Sequence, residues 1–176
     1  MILDRLAGPQ QFYRMHTPRW GYMPLSGAGA ARKGGRLNRE GQHALYLART
    51  PDTARAEFQQ YDSLLKPGLI ATYEVSLATV VDFSGGYDPK HWDPAWADFW
   101  CEWRDLWFIH QVEPPSWLLA DLALDAGCSG ILYPSAVQPG GVNLVIYVQQ
   151  LAEADILRVH DPDGDLPSDP TSWTRG

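Results

Sequence analysis

Residues 44–58, ALYLARTPDTARAEF, change periodicity halfway, and that change sets the architecture. Residues 42–48 alternate as a half-buried strand, with Ala44, Tyr46 and Ala48 on one face. Thr50-Pro51-Asp52 then supplies a capping hydroxyl, a proline for the first helical position and an acid for the first turn. Ala54, Phe58, Tyr61 and Leu65 follow at helical spacing and predict a buried stripe, with Lys66-Pro67-Gly68 as its stop. Glu57 lies three residues after Ala54 and four before Tyr61, so it flanks that stripe. A carboxylate there either faces a cleft or is an edge group satisfied by an arginine such as Arg14 or Arg55.

Upstream, Phe12-Tyr13-Arg14-Met15 reads as a short strand, and residues 17–41 as a long loop rich in Gly and Pro. Unstructured loops of that length tend to be functional or disordered. Downstream, Leu69, Ala71, Tyr73, Val75 and Leu77 alternate cleanly along a strand, and Thr79 to Phe83 reads as another. Asp93-Pro94 predicts a helix with Trp96, Trp100, Trp103 and Trp107 on one broad face, a pattern typical of core or of a partner surface. Glu113-Pro114-Pro115 stops it, and Ser116 is placed to cap a further helix ending at Gly127. Strands near 130–134, 143–149 and 155–159 complete an α+β pattern: one domain over residues 1–160, with mixed or antiparallel sheets and flanking helices. Residues 161–176, rich in Asp, Pro and Gly, are expected to be a poorly ordered tail.

The chain has 176 residues and a formal charge of −7, with 45% hydrophobic residues, an ordinary soluble composition. That charge argues against a general nucleic-acid binder, which needs a basic face. No apolar run approaches the ~20 residues of a membrane helix, and the start lacks the layout of a signal peptide. A cytoplasmic protein with two reduced cysteines, Cys101 and Cys128, is therefore expected.

Positive charge is instead local: Arg32, Lys33, Arg36 and Arg39 surround Gly34-Gly35. Glycines admit close approach of a ligand, and a guanidinium can grip phosphate bidentately, so a small phosphorylated ligand fits Arg36. The run Gly27-Ala28-Gly29-Ala30-Ala31-Arg32 fails as a dinucleotide fingerprint, because its third glycine is missing and no helix is expected directly after it. Tyr46 has small neighbours on its face and room to stack on a planar ring. Ser135, after Tyr133-Pro134, is a strand-end hydroxyl. The five histidines lack motif spacing, so a ligand-binding role suits Ser135 better than a nucleophilic one, and no metal site is indicated. Asn143 is either a strand-start residue or a ligand-binding amide.

In this order, Gly34-Gly35-Arg36-Leu37-Asn38, Leu45-Tyr46-Leu47-Ala48, Ala54 to Glu57, Tyr133-Pro134-Ser135-Ala136 and Gly141-Val142-Asn143-Leu144-Val145 resemble the RES domain. Phe12-Tyr13-Arg14 is similar to its opening strand. Leu37 stands where the family often has a tryptophan or phenylalanine, and residues 92–117 have no clear counterpart. The resemblance implies an ADP-ribosyltransferase-like fold and the toxin half of a type II toxin–antitoxin pair. It implies that NAD+ is the substrate, cleaved at the nicotinamide–ribose bond, with no metal. ADP-ribose then passes to a protein such as phosphoribosyl pyrophosphate synthetase or, alternatively, to water or phosphate. Glu57 would be the catalytic carboxylate and Arg36 a catalytic and NAD-binding residue, with Tyr46, Ser135, Asn143 and Arg14 completing the ligand set. The implied partner is an Xre-type helix-turn-helix antitoxin that occludes the site, without direct nucleic-acid or membrane binding by this chain. A non-catalytic nucleotide-binding module and a ribonuclease toxin are the readings from other classes.

Overall fold

The structure is a computed structural model and describes residues 1–60 and 62–170. Its strands are β1 (Leu3–His16), β2 (Ala44–Ala48), β3 (Leu69–Asp82), β4 (Gly130–Pro134), β5 (Val142–Tyr147) and β6 (Ile156–Val159). They form one mixed sheet in the order β1-β2-β5-β4-β3-β6, and β3 also pairs with β1, so the first five strands close on themselves. Among the described residues only β3 and β4 pair in parallel. The link between β1 and β2 is a single pair, Tyr13 opposite Ala48. With helices α1 (Ala28–Ala31), α2 (Pro51–Gln59) and α3 (Pro115–Asp125), the chain has the expected α+β architecture.

Period-two alternation divides the core between the two faces of the sheet. Leu45, Leu47, Leu132, Leu144 and Ile146 turn inward with Phe12, Tyr73 and Val75 from the two long strands. Ile131, Tyr133, Val145 and Tyr147 turn the other way, where α3 and the aromatics Phe83, Trp92, Trp96 and Phe99 cover them. Tyr46 packs at the edge of this cover, and with Asn143 it lines the cavity that opens beside it.

Several local expectations are corrected. β1 is far longer than the strand expected at 12–15, and residues 69–83 form one strand through Asp82 rather than two. The Thr50 hydroxyl does cap α2, accepting from Thr53 N. The helix ends at Gln59, well before Lys66, so Leu65 is 48% exposed instead of buried. Tyr61, expected on the buried stripe, lies outside the described residues. The 17–41 loop contains a 3-10 turn at Pro18–Trp20 and the one-turn α1, at the place where no helix was expected.

The tryptophan helix is not one helix. Pro94–Trp100 is a run of 3-10 turns capped by the Asp93 carboxylate, and Asp105–Ile109 is a separate wide turn. Ser116 lies inside α3, fully buried, instead of capping it. Of the expected tail, residues 161–170 are described, and the Asp161 carboxylate accepts from Asp165 N and Leu166 N. Residues 171–176 lie outside the described residues. No described helix is long and apolar enough to cross a membrane.

Candidate active site

The β-sheet register builds the floor of the site. Tyr13, Ala48, Asn143 and Tyr133 stand opposite one another in one row across β1, β2, β5 and β4. Directly opposed residues share a face, and all four line a cavity of about 350 Å³, near the lower end of the ~300–1,000 Å³ usual for small-molecule sites. Tyr46 lies two residues before Ala48 on the same face and lines it as well. Because Thr50 and Pro51 start α2 immediately after β2, the helix delivers Ala54, Glu57 and Phe58 to the opposite wall.

Neither Arg14 nor Arg55 satisfies Glu57. Ser135 Oγ donates to Glu57 Oε1 at 2.7 Å, and Asn143 Nδ2 donates to the same oxygen at 2.5 Å. No described group bonds Oε2. Ser135 Oγ also accepts from Val137 N and Gln138 N, which folds the chain after Pro134 into a turn. Ser135 is not part of the cavity wall. In this geometry it orients the carboxylate. Asn143 is wall and carboxylate partner together, and its Oδ1 is buried without a partner among the described residues.

Arg36 is presented by a turn in which every carbonyl from Gly35 to Asn38 accepts a hydrogen bond. Gly35 O accepts from Trp117 Nε1 at 2.7 Å and Arg36 O from Ser116 Oγ at 2.6 Å. Leu37 O accepts from Tyr147 OH at 2.9 Å, and Asn38 O from Gly35 N. The buried Asn38 amide donates to the carbonyls of Ala30, Arg39 and Gln42, while its Oδ1 accepts from Tyr46 OH at 2.8 Å. Gly34 takes φ +73°, a left-handed conformation that favours glycine. At Gly35 the reason is space, since a Cβ would stand 2.5 Å from Asn38 Oδ1 and 2.6 Å from Tyr46 OH.

The Arg36 guanidinium is held from the other side. Its Nη1 donates to Phe99 O at 2.9 Å and Cys101 O at 3.0 Å, and its Cζ lies 4.9 Å from the centre of the Trp100 ring. Arg14, half-buried on β1, donates to Ser26 O at 3.4 Å, and burial pulls its guanidinium below the ordinary value. Arg104 stacks over Trp103 at the rim. Among the described residues none of these three arginines has a carboxylate within ion-pair distance, so the cavity holds three guanidinium groups and one carboxylate, Glu57. An acidic protein thus keeps a cationic pocket, suited to an anionic ligand. Among the described residues no cluster of three or more His, Cys, Asp or Glu could hold a metal ion.

Five of the six expected site residues, Arg14, Arg36, Tyr46, Glu57 and Asn143, line this one cavity, and Ser135 stands directly behind Glu57. The wall residues that the sequence reading missed include Tyr133, Trp100 and Arg104. Tyr133 sits two residues before Ser135, and burial, with the nearby Tyr46 hydroxyl and Glu57, pushes its phenol well up, so it remains a neutral donor. Its place in an alternating strand beside the motif could have exposed it. Trp100 and Arg104 carried no such signal, because they depend on a turn structure that was read as helix.

With this geometry in place, comparison with known proteins is direct. No curated protein matches the chain. Among solved structures, the crystal structure of the M. tuberculosis MbcT–MbcA toxin–antitoxin complex is similar, at TM-score 0.59 and 21% identity, over 89% of this chain and 84% of that one. At that identity the likeness concerns the fold. Residues 11–169 match the RES domain, past the boundary expected at residue 160. Since that match spans most of the chain and every residue of the cavity wall, from Tyr13 to Asn143, the chain belongs to the RES domain family.

Proposed function

We propose that the chain is the toxin of a toxin–antitoxin pair, cleaving NAD+ at the nicotinamide–ribose bond and passing ADP-ribose to an acceptor, foremost a protein side chain. One observation carries the reading: a carboxylate, Glu57, held at Oε1 by Ser135 and Asn143, in a cavity whose other charged groups are guanidiniums. The diphosphate suits Arg36 and Arg14. Tyr46, Tyr133 and Trp100 offer flat faces for nicotinamide.

In the reaction the bond from the ribose anomeric carbon to the nicotinamide nitrogen breaks, and both electrons leave with the neutral base. The ribose becomes an oxocarbenium-like cation, and the Glu57 carboxylate stabilises that charge more than it stabilises bound NAD+. A neutral leaving group needs no general acid, in keeping with a single carboxylate. The acceptor then adds at the anomeric carbon and releases a proton. The solved neighbour is a toxin seated with its antitoxin. By analogy a helix-turn-helix antitoxin would cover this cavity.

Purified protein incubated with adenine-labelled NAD+ and cell lysate, with and without phosphate, tests the reading. A labelled protein band supports transfer to protein. Free ADP-ribose or its phosphorylated form keeps the cleavage step and replaces the acceptor. Intact NAD+ in every condition would remove the proposal.

A further inference from the structure

Beside the Glu57 cavity lies a second chamber of about 410 Å³, and Arg14, Met15 and Phe58 belong to the walls of both. Its remaining surface is mostly apolar and soft: Met23 and Trp20, both exposed at the mouth, with Pro24 beside them. Thioethers and aromatic rings make good contacts for a flat heteroaromatic group. The charge on the wall comes from Arg14 and Arg32, and among the described residues neither has a carboxylate partner.

Two buried side-chain atoms among the described residues lack a hydrogen-bond partner: Asn143 Oδ1 and His16 Nε2. They divide between the chambers, Asn143 in the wall of the first and His16 in the wall of the second. Unpaired buried polar atoms are uncommon and call for an explanation. Burial and the neighbouring Arg14 hold the His16 imidazole down at about 4, so at neutral pH it is an uncharged ring that can bond a base nitrogen or amine.

We infer that this second chamber takes the adenosine phosphate half of a dinucleotide whose other half lies against Glu57, with the diphosphate bridging at Arg14. The inference rests on the NAD+ reading for the first chamber and adds a residue set to it: Arg32 and His16 for polar contacts, with Met15, Met23 and Phe58 against the base. Two adjoining chambers that share a guanidinium suit a ligand with a ring at each end and charge in the middle.

Gly29 and Arg32 offer a clean test. Gly29 lies in the chamber wall, and a Cβ there meets nothing within 4 Å, so the side chain of Gly29→Trp starts in open space beside the chamber. Adenosine 5′-diphosphate is titrated calorimetrically into wild type, Glu57→Gln, Gly29→Trp and Arg32→Glu, with melting curves confirming the fold of each. Wild type and Glu57→Gln should bind alike, while the chamber variants should weaken binding about tenfold or more, the scale of one lost charge-assisted contact. The ratio of kcat/KM for NAD+ to that for nicotinamide mononucleotide should fall by a similar factor in the chamber variants. Equal diphosphate binding in all four proteins would overturn the inference. The two readings fail separately. Intact NAD+ together with diphosphate binding that Gly29→Trp abolishes would remove the Glu57 chemistry and keep the chamber. NAD+ cleavage together with binding indifferent to Gly29→Trp and Arg32→Glu would do the reverse.

Discussion

Arg36 is held by two regions of opposite character. The Gly34–Asn38 turn fixes its backbone: Trp117, Ser116 and Tyr147 donate to the turn's carbonyls and Leu37 N donates to Tyr46 OH, all in or against the core. The Pro94–Trp100 segment grips its guanidinium through the Phe99 and Cys101 carbonyls and the face of Trp100, which is 40% exposed. The first is rigid, buried and satisfied. The second buries Trp96 and Phe99 but ends in an exposed turn at Trp100, whose carbonyls are available because the 3-10 run ends at Cys101, which goes extended. The difference separates two tasks, since the turn fixes where the arginine starts and the aromatic segment fixes where its charge points. Substitutions in the turn should therefore act on stability, and those in the segment on the ligand.

The largest effect is expected from Asn38→Asp. It places a charge at a fully buried site where three carbonyls require a donor, and should cost roughly 3–5 kcal/mol, read from urea denaturation. Gly35→Ala comes next, at about 2–3 kcal/mol. Its Cβ would press on Asn38 Oδ1 and Tyr46 OH, and those two atoms are bonded to each other, so neither can yield freely. Trp117→Phe keeps most of the ring but leaves the Gly35 carbonyl unpaired, a loss of about 1–2 kcal/mol. Trp100→Ala should shift the melting temperature by no more than about 2–4 °C. It should raise KM for NAD+ roughly two- to fivefold, the scale of an exposed cation–π contact. A Trp100 variant that unfolds, or an Asn38 variant that melts like wild type, would break the division between the two regions.

The same division governs what was legible in the sequence. The turn could be read because its determinants are local: two glycines, the arginine and an asparagine within five residues. The strand–cap–helix run that places Tyr46 and Glu57 was equally local, and Thr50 caps as its residue type predicts. The aromatic segment was misread because Trp96, Trp100, Trp103 and Trp107 do recur at helical spacing. That spacing carries no information on where turns tighten to 3-10 or widen. The length of α2 failed for a related reason, since Leu65 continued the pattern past the point where packing ends. The partners of Glu57 could be listed as candidates but not paired with it. Their contact depends on β-sheet register across β2, β5 and β4, which joins residues roughly ninety positions apart.

The central claim concerns the charge on Glu57, and Glu57→Gln tests it most directly. Glutamine keeps an oxygen where Ser135 and Asn143 donate, so the fold and that local network survive while the negative charge is lost. Measured with purified protein, the rate of nicotinamide release from NAD+ should fall by about 10²–10³, as for the loss of one preorganised electrostatic group, with the melting temperature nearly unchanged. Nicotinamide release at the wild-type rate in a correctly folded Glu57→Gln protein would contradict the account.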